Sequence, residues 1–128
     1  MSRSLSYATL KPSGGLELWS WLFMRLSGVV LLLLALGHLA VMHLLNNVDV
    51  INYDFVATRY AGWFWRSYDL AMLVLAMLHG LNGARILIDD YVHHALWRQV
   101  ALGFLYTVGG GLLLLGIYVA LFFKPVQG

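Results

Sequence analysis

In an otherwise apolar chain, the residues able to do chemistry are His79, buried in a long hydrophobic run, and Asp90 and Tyr91, eleven and twelve positions further on. An imidazole inside a spanning helix is costly to leave unpaired, and it is resolved by an interhelical hydrogen bond, a proton path or a metal. His79 is therefore either a hydrogen-bonded core histidine or a ligand. Gly80 and Gly83 beside it leave room for a flat macrocycle or for a close partner helix. Eleven residues make nearly three helical turns, so Asp90 falls within about 20° of His79 around the axis and roughly 16 Å further along it. That face could hold a redox centre at mid-depth below a proton-linked carbonyl site. The plainer reading of Asp89, Asp90 and Tyr91 is a solvated helix end with an interfacial tyrosine.

Arg25 and His38 stand in the preceding apolar run. A guanidinium a few residues inside a span either snorkels to the surface or pairs with a buried anion. Ser27 bonds to its own helix backbone in the simplest reading. His38 lies thirteen residues beyond Arg25, about 20 Å along the helix and near its opposite face, too far along to share one group with His79. It is either a packed histidine or a ligand to a second group. His43, His93 and His94 fall near interfaces and need no further role.

The elements that must position these side chains follow from composition. Hydrophobic residues make up 61% of the 128 positions, charged ones only 11%, and the mean hydropathy is +0.77. Ordinary soluble domains are about half apolar and a quarter charged, so lipid is the main solvent of this chain. The fold class expected is all-α and integral to the membrane: three transmembrane helices in one anchor domain, residues 16–128, after a polar leader at 1–15. Apolar runs place the spans at about 18–45, 68–88 and 100–123, each long enough for a hydrocarbon core of roughly 30 Å. Residues 52–66 mix Asp54, Arg59 and Arg66 with Tyr53, Phe55, Tyr60, Trp63, Phe64 and Trp65. That mixture predicts a partly helical connector on the bilayer surface. The third run has no ionisable side chain except tyrosine and holds Gly103, Gly109, Gly110, Gly111 and Gly116, which predicts a structural helix packed closely on its neighbours.

The absence of cysteine rules out disulfides and thiolate-ligated clusters, so bound iron would have to use histidine. Eight basic residues spread along the chain form no patch for nucleic acid. Arg3, Lys11, Arg25, Arg85 and Arg98 collect on one side and Arg59, Arg66 and Lys124 on the other. The positive-inside rule then puts the N-terminus and the Asp89–Arg98 loop in the cytoplasm and the C-terminus outside. The leader lacks an apolar signal core and is too short for a transit peptide, as expected of a bacterial inner-membrane protein.

The segment Leu78-His79-Gly80-Leu81-Asn82-Gly83-Ala84-Arg85-Ile86-Leu87-Ile88-Asp89-Asp90-Tyr91 resembles the second-helix signature of succinate dehydrogenase membrane-anchor subunits: histidine, ten residues, then Asp-Tyr. Trp21 to Gly28, Gly37-His38-Leu39, and the connector stretch Phe55 to Ala61 with Phe64-Trp65 are similar to actinobacterial-type D subunits. The likeness runs from about Trp19 to Arg98, while the third helix matches only in character. It implies a chain that pairs with a C-type cytochrome b anchor and docks an iron–sulfur subunit and a flavoprotein subunit at the cytoplasmic surface. Carried over by position, His79 matches the axial ligand of haem b, with the opposite ligand from the C-type anchor. Tyr91 matches the tyrosine that donates a hydrogen bond to a quinone carbonyl, Asp90 the aspartate beside it, and Arg25 an arginine near the haem propionates. No quinone role is transferred to Ser27.

The resemblance thus implies a subunit of succinate:quinone oxidoreductase that binds and tunes, with the flavin chemistry carried elsewhere in the complex. A fumarate reductase anchor shares the architecture with reversed flux, and a haem-free structural anchor would carry no b-type absorbance. A transporter or channel would need a polar path that the third helix does not offer.

Overall fold

A computed structural model describes residues 14–124; Arg3, Lys11 and the leader up to Ser13 lie outside the described residues. Helix α1 spans Gly15–Leu39 and continues into a π-helical turn, Ala40–Leu45. Gly15, expected in the leader, is the first helical residue, with φ at 71° in the region that favours glycine. The amide of Asn46 closes the far end by donating to the carbonyl of Val41 at 2.7 Å. A single 3₁₀ turn, Val48–Val50, leads to α2, Tyr53–Ala61, whose first turn is capped by the Asn52 side chain accepting from the Phe55 amide. Gly62 then takes an extended conformation and breaks the path for one residue before α3, Trp63–Tyr91. Val92 to His94 turn the chain into α4, Ala95–Phe122.

Among the described residues three helices are long and apolar enough to cross a membrane: Gly15–Leu45, Trp63–Tyr91 and Ala95–Phe122. The expected order of spans and helical connector is therefore found, with different ends. The second helix starts at Trp63, not at about Tyr68, and includes Asp89, Asp90 and Tyr91 as its last turn. The third begins at Ala95, not at about Val100. Apolar runs mark the stretch that sits in hydrocarbon, whereas backbone hydrogen bonding continues through headgroups wherever nothing stops it. At 29 residues, α3 is about 43 Å long, well beyond a core of roughly 30 Å.

Helix α3 is central and packs against both α1 and α4. Among the described residues only Ser27, Ala57, Arg59, Gly109 and Ala120 are buried within the chain, and leucines along α1 and α4 face outward. Such a surface suits lipid or other apolar helices as its surroundings. The glycines of α4 divide into two sets. A Cβ on Gly109 would collide with the Leu81 isobutyl group, and one on Gly116 would lie 2.6 Å from Leu73 Cδ2, so α3 leucines seat in both gaps. Gly103, Gly110 and Gly111 have open space instead. Gly109→Val should thus force α3 and α4 apart, costing about 1–3 kcal/mol as overpacking does. A lowered unfolding midpoint in mild detergent is the expected reading.

The connector end is tied by two arginines. Arg66 donates to the carbonyls of Tyr60, Leu121 and Phe123 at 2.7–3.1 Å, joining the ends of α2 and α4 where carbonyls lack helical partners. Tyr60 and Tyr53 pack edgewise or tilted on Phe123. Burial raises the Tyr60 hydroxyl above its ordinary pKa, with Asp69 adding to the rise and Arg59 and Arg66 opposing it.

Candidate functional site

Three polar layers cross the bundle along α3. At the Tyr91 end, the Asn82 amide donates to Ser20 Oγ at 3.0 Å and Arg85 Nε donates to Asn82 Oδ1 at 3.3 Å. Asp89 then takes Arg85 at 3.6 Å and Arg98 at 2.6 Å, bridging the α3–α4 turn. The acid with an internal role here is Asp89, while Asp90 is exposed and Tyr91 is 77% exposed. An open cleft of about 370 Å³ lies beside this layer, lined by Leu16, Glu17, Ser20, Asn82, Arg85 and Tyr106.

The middle layer is a single pair. His79 Nδ1 lies 2.7 Å from Ser27 Oγ, and Ser27 is 3% exposed. Ser27 does lean toward its own helix, at 3.5 Å from the Met24 carbonyl, but the imidazole is its short contact. The expected backbone-only serine is thereby corrected: α1 and α3 cross closely enough for a side-chain bond, helped by Gly28, whose Cβ would lie only 3.5 Å from His79 Cε1. Gly83 gives the same closeness one turn on, against Met24, while Gly80 faces open space. His79 Nε2 makes no hydrogen bond among the described residues.

The third layer, toward the connector, holds the other apolar-run histidine. Arg59 reaches across the Gly62 break and binds Asp69 with two bonds, Nε to Oδ2 at 3.2 Å and Nη2 to Oδ1 at 3.0 Å. The guanidinium also stacks over Trp65 at 4.1 Å. His38 Nδ1 points at the same carboxylate from 3.5 Å. That nitrogen is buried and makes no hydrogen bond among the described residues, and the nearest acid is one already held by Arg59. Tyr68 completes the layer by donating to the Leu34 carbonyl at 2.6 Å across Gly37. A cavity of about 530 Å³ opens beside Arg59, lined also by Val41, Asn46, Asn52, Thr58 and Trp65.

The structure brings together only part of the set singled out from sequence. His79, Asp90 and Tyr91 share α3 but make no contact, and Tyr91 lies about 120° around the helix from His79. Arg25 is exposed, stacks over Trp21 at 4.2 Å and has no anionic partner among the described residues. Two positions from Ser27, it points about 200° away from the side of α1 that meets His79. Among the described residues no three His, Asp or Glu side chains converge as a metal cage. Sequence reasoning missed Ser27 as a partner of His79 and the Arg59–Asp69 pair.

The family model of the succinate dehydrogenase/fumarate reductase transmembrane subunit matches residues 1–119, nearly the whole chain. The chain belongs to this family. A search of curated proteins gave no match. Membership places this succinate dehydrogenase/fumarate reductase transmembrane subunit in a complex with other subunits, and the match covers all three spans almost entirely. Its outward leucines and open glycines are consistent with such an assembly.

Proposed function

We propose that this chain is the D-type half of a succinate dehydrogenase membrane anchor, contributing one axial ligand to a shared haem b and part of a quinone site. The observation that carries the reading is His79. It stands two residues from the middle of a 29-residue spanning helix, with Nδ1 engaged and Nε2 without a hydrogen-bond partner among the described residues. A ligating histidine characteristically has its second nitrogen occupied in this way. The residues therefore fit one axial position. His38 cannot supply the other, because its partner Asp69 is ten residues from His79, about 15 Å along α3. In this reading a second ligand to the haem would come from the C-type cytochrome b anchor.

When bound, the haem supplies a one-electron store near the quinone. This chain's own residues do the rest. Reduction of a quinone to the quinol takes two electrons and two protons. Tyr91 is exposed at the helix end, where it donates to a quinone carbonyl and polarises it, and the exposed Asp90 beside it in sequence links that end to water. The propionate role of Arg25 rests on the family likeness alone, since its side chain stacks over Trp21 on the side of α1 away from His79. The Lys and Arg bias of five against three supports a cytoplasmic Tyr91 end, the side on which iron–sulfur and flavoprotein subunits would dock in this reading. Direction toward succinate oxidation rests on the likeness to D-type anchors, and the potential of the quinone used distinguishes it from a fumarate reductase.

Mild-detergent purification of the tagged chain should bring down a flavoprotein, an iron–sulfur protein and a second anchor. In that complex, Tyr91→Phe should lower succinate-to-quinone turnover by roughly 10²–10⁴-fold, the usual worth of a positioned acid, while succinate oxidation by an artificial flavin-level acceptor stays unchanged. Wild-type rates in both assays would leave Tyr91 an interfacial anchor. A second reading, a haem-free structural anchor, is favoured by the same 2.7 Å bond, since Ser27 alone already satisfies one nitrogen of His79. It predicts a complex without b-type absorbance.

A further inference from the structure

We propose that Ser27 is the positioning residue of the His79 ligand, setting which ring nitrogen faces the iron and how the ring is turned. The inference rests on the reading of His79 as an axial ligand. An imidazole that ligates through Nε2 must carry its proton on Nδ1, and that N–H needs an acceptor. Ser27 Oγ lies 2.7 Å away and is buried at 3% exposure, so water does not compete for it. A hydroxyl has one proton to place. Its other neighbour is the Met24 carbonyl at 3.5 Å, which can only accept. With the hydroxyl proton directed to Met24, the oxygen lone pairs are turned to Nδ1–H, and Nε2 is left bare. One rotation of the Ser27 hydroxyl thus selects the ligating tautomer.

The ring plane is held from the same side. Gly28 brings the α1 backbone up to the imidazole, with a Cβ position only 3.5 Å from Cε1. Ser27 and Gly28 together form one wall against the ring. Accepting from Nδ1–H makes the imidazole a stronger donor to iron and favours the ferric state. Asn82 and Ser20 cannot substitute, being bonded to each other one turn away.

The test compares wild type, Ser27→Ala and Ser27→Thr in the purified complex, reading haem-to-flavin ratio, haem midpoint potential and the low-spin ferric resonance spectrum. Ser27→Ala should weaken haem retention roughly 10- to 100-fold, the usual cost of losing an outer partner of a metal-bound histidine. It should also raise the midpoint potential and broaden the ferric signal as the ring loses its fixed plane. Ser27→Thr, which restores the hydroxyl, should return all three toward wild type. If Ser27→Ala does not assemble, Ser27→Cys, with a weak sulfur acceptor of similar size, should show the same shifts. Unchanged retention, potential and spectrum in Ser27→Ala overturn the proposal while leaving His79 as ligand. A wild-type complex with no b-type haem overturns both, and so is told apart.

Discussion

Asp69→Ala is expected to destabilise the folded chain by about 3–5 kcal/mol, as losing one partner of a buried ion pair does. The carboxylate is only 12% exposed and the Arg59 side chain 6%. Arg59 gives it both Nε and Nη2, and the Trp65 face is the guanidinium's other neighbour. Without Asp69 a full positive charge would remain in an apolar corner, and the bridge across Gly62 that fixes α2 against α3 would be lost. Asp69→Asn keeps the shape and one acceptor oxygen, so its loss should be smaller, about 1–3 kcal/mol. Arg59→Met combined with Asp69→Leu should recover most of the deficit, because two apolar side chains leave no charge uncompensated. Unfolding in mixed micelles, followed by loss of helical circular dichroism, measures all three. An Asp69→Ala cost under about 1 kcal/mol would mark the pair as solvated.

His79→Ala should remove the b-type band from the dithionite-reduced spectrum of the complex while flavin content is retained. The expected loss is complete. His38, the nearest alternative in an apolar run, is turned to Asp69 and stands about 15 Å away along the bundle. Loss of the imidazole also leaves Ser27 Oγ with only its long Met24 contact at 3.5 Å, so the variant forfeits the α1–α3 bond as well. Some loss of stability, about 1–3 kcal/mol for the unsatisfied buried hydroxyl, should accompany the spectral change. An unchanged band would exclude His79 as a required ligand.

How much of this was readable beforehand depends on the range of the interaction. The three spans were legible because each is a long apolar run, and the glycines of α4 announced close packing. The ends were not, since Trp63 to Arg66 has the aromatic and charged make-up of a surface connector while forming the first turn of α3. Asn46 ends the first apolar run in sequence as in structure, whereas the break at Gly62 shows only in the fold. Nothing in the residues Ala40–Leu45 distinguishes a π-helical turn from an α-helical one. Partnerships across helices were hidden. Ser27 and His79 are 52 residues apart and meet only through the rotation of two helices about their axes. Arg59 and Asp69 are ten apart, yet the break at Gly62 makes helical periodicity useless between them. Leu81 filling the Gly109 gap likewise depends on the register of α3 against α4.

The arginine at position 66 gives synthesis an order. It is made long before Leu121 and Phe123, whose carbonyls it finally holds, whereas Tyr60 precedes it by only six residues. As the chain leaves the ribosome, the guanidinium can clasp its local acceptor at once and must wait for the distant ones. The Arg59–Asp69 bridge can fix α2 on α3 before then, but the Arg66 contacts to α4 form only after that helix is in place, so the corner at that end is sealed last.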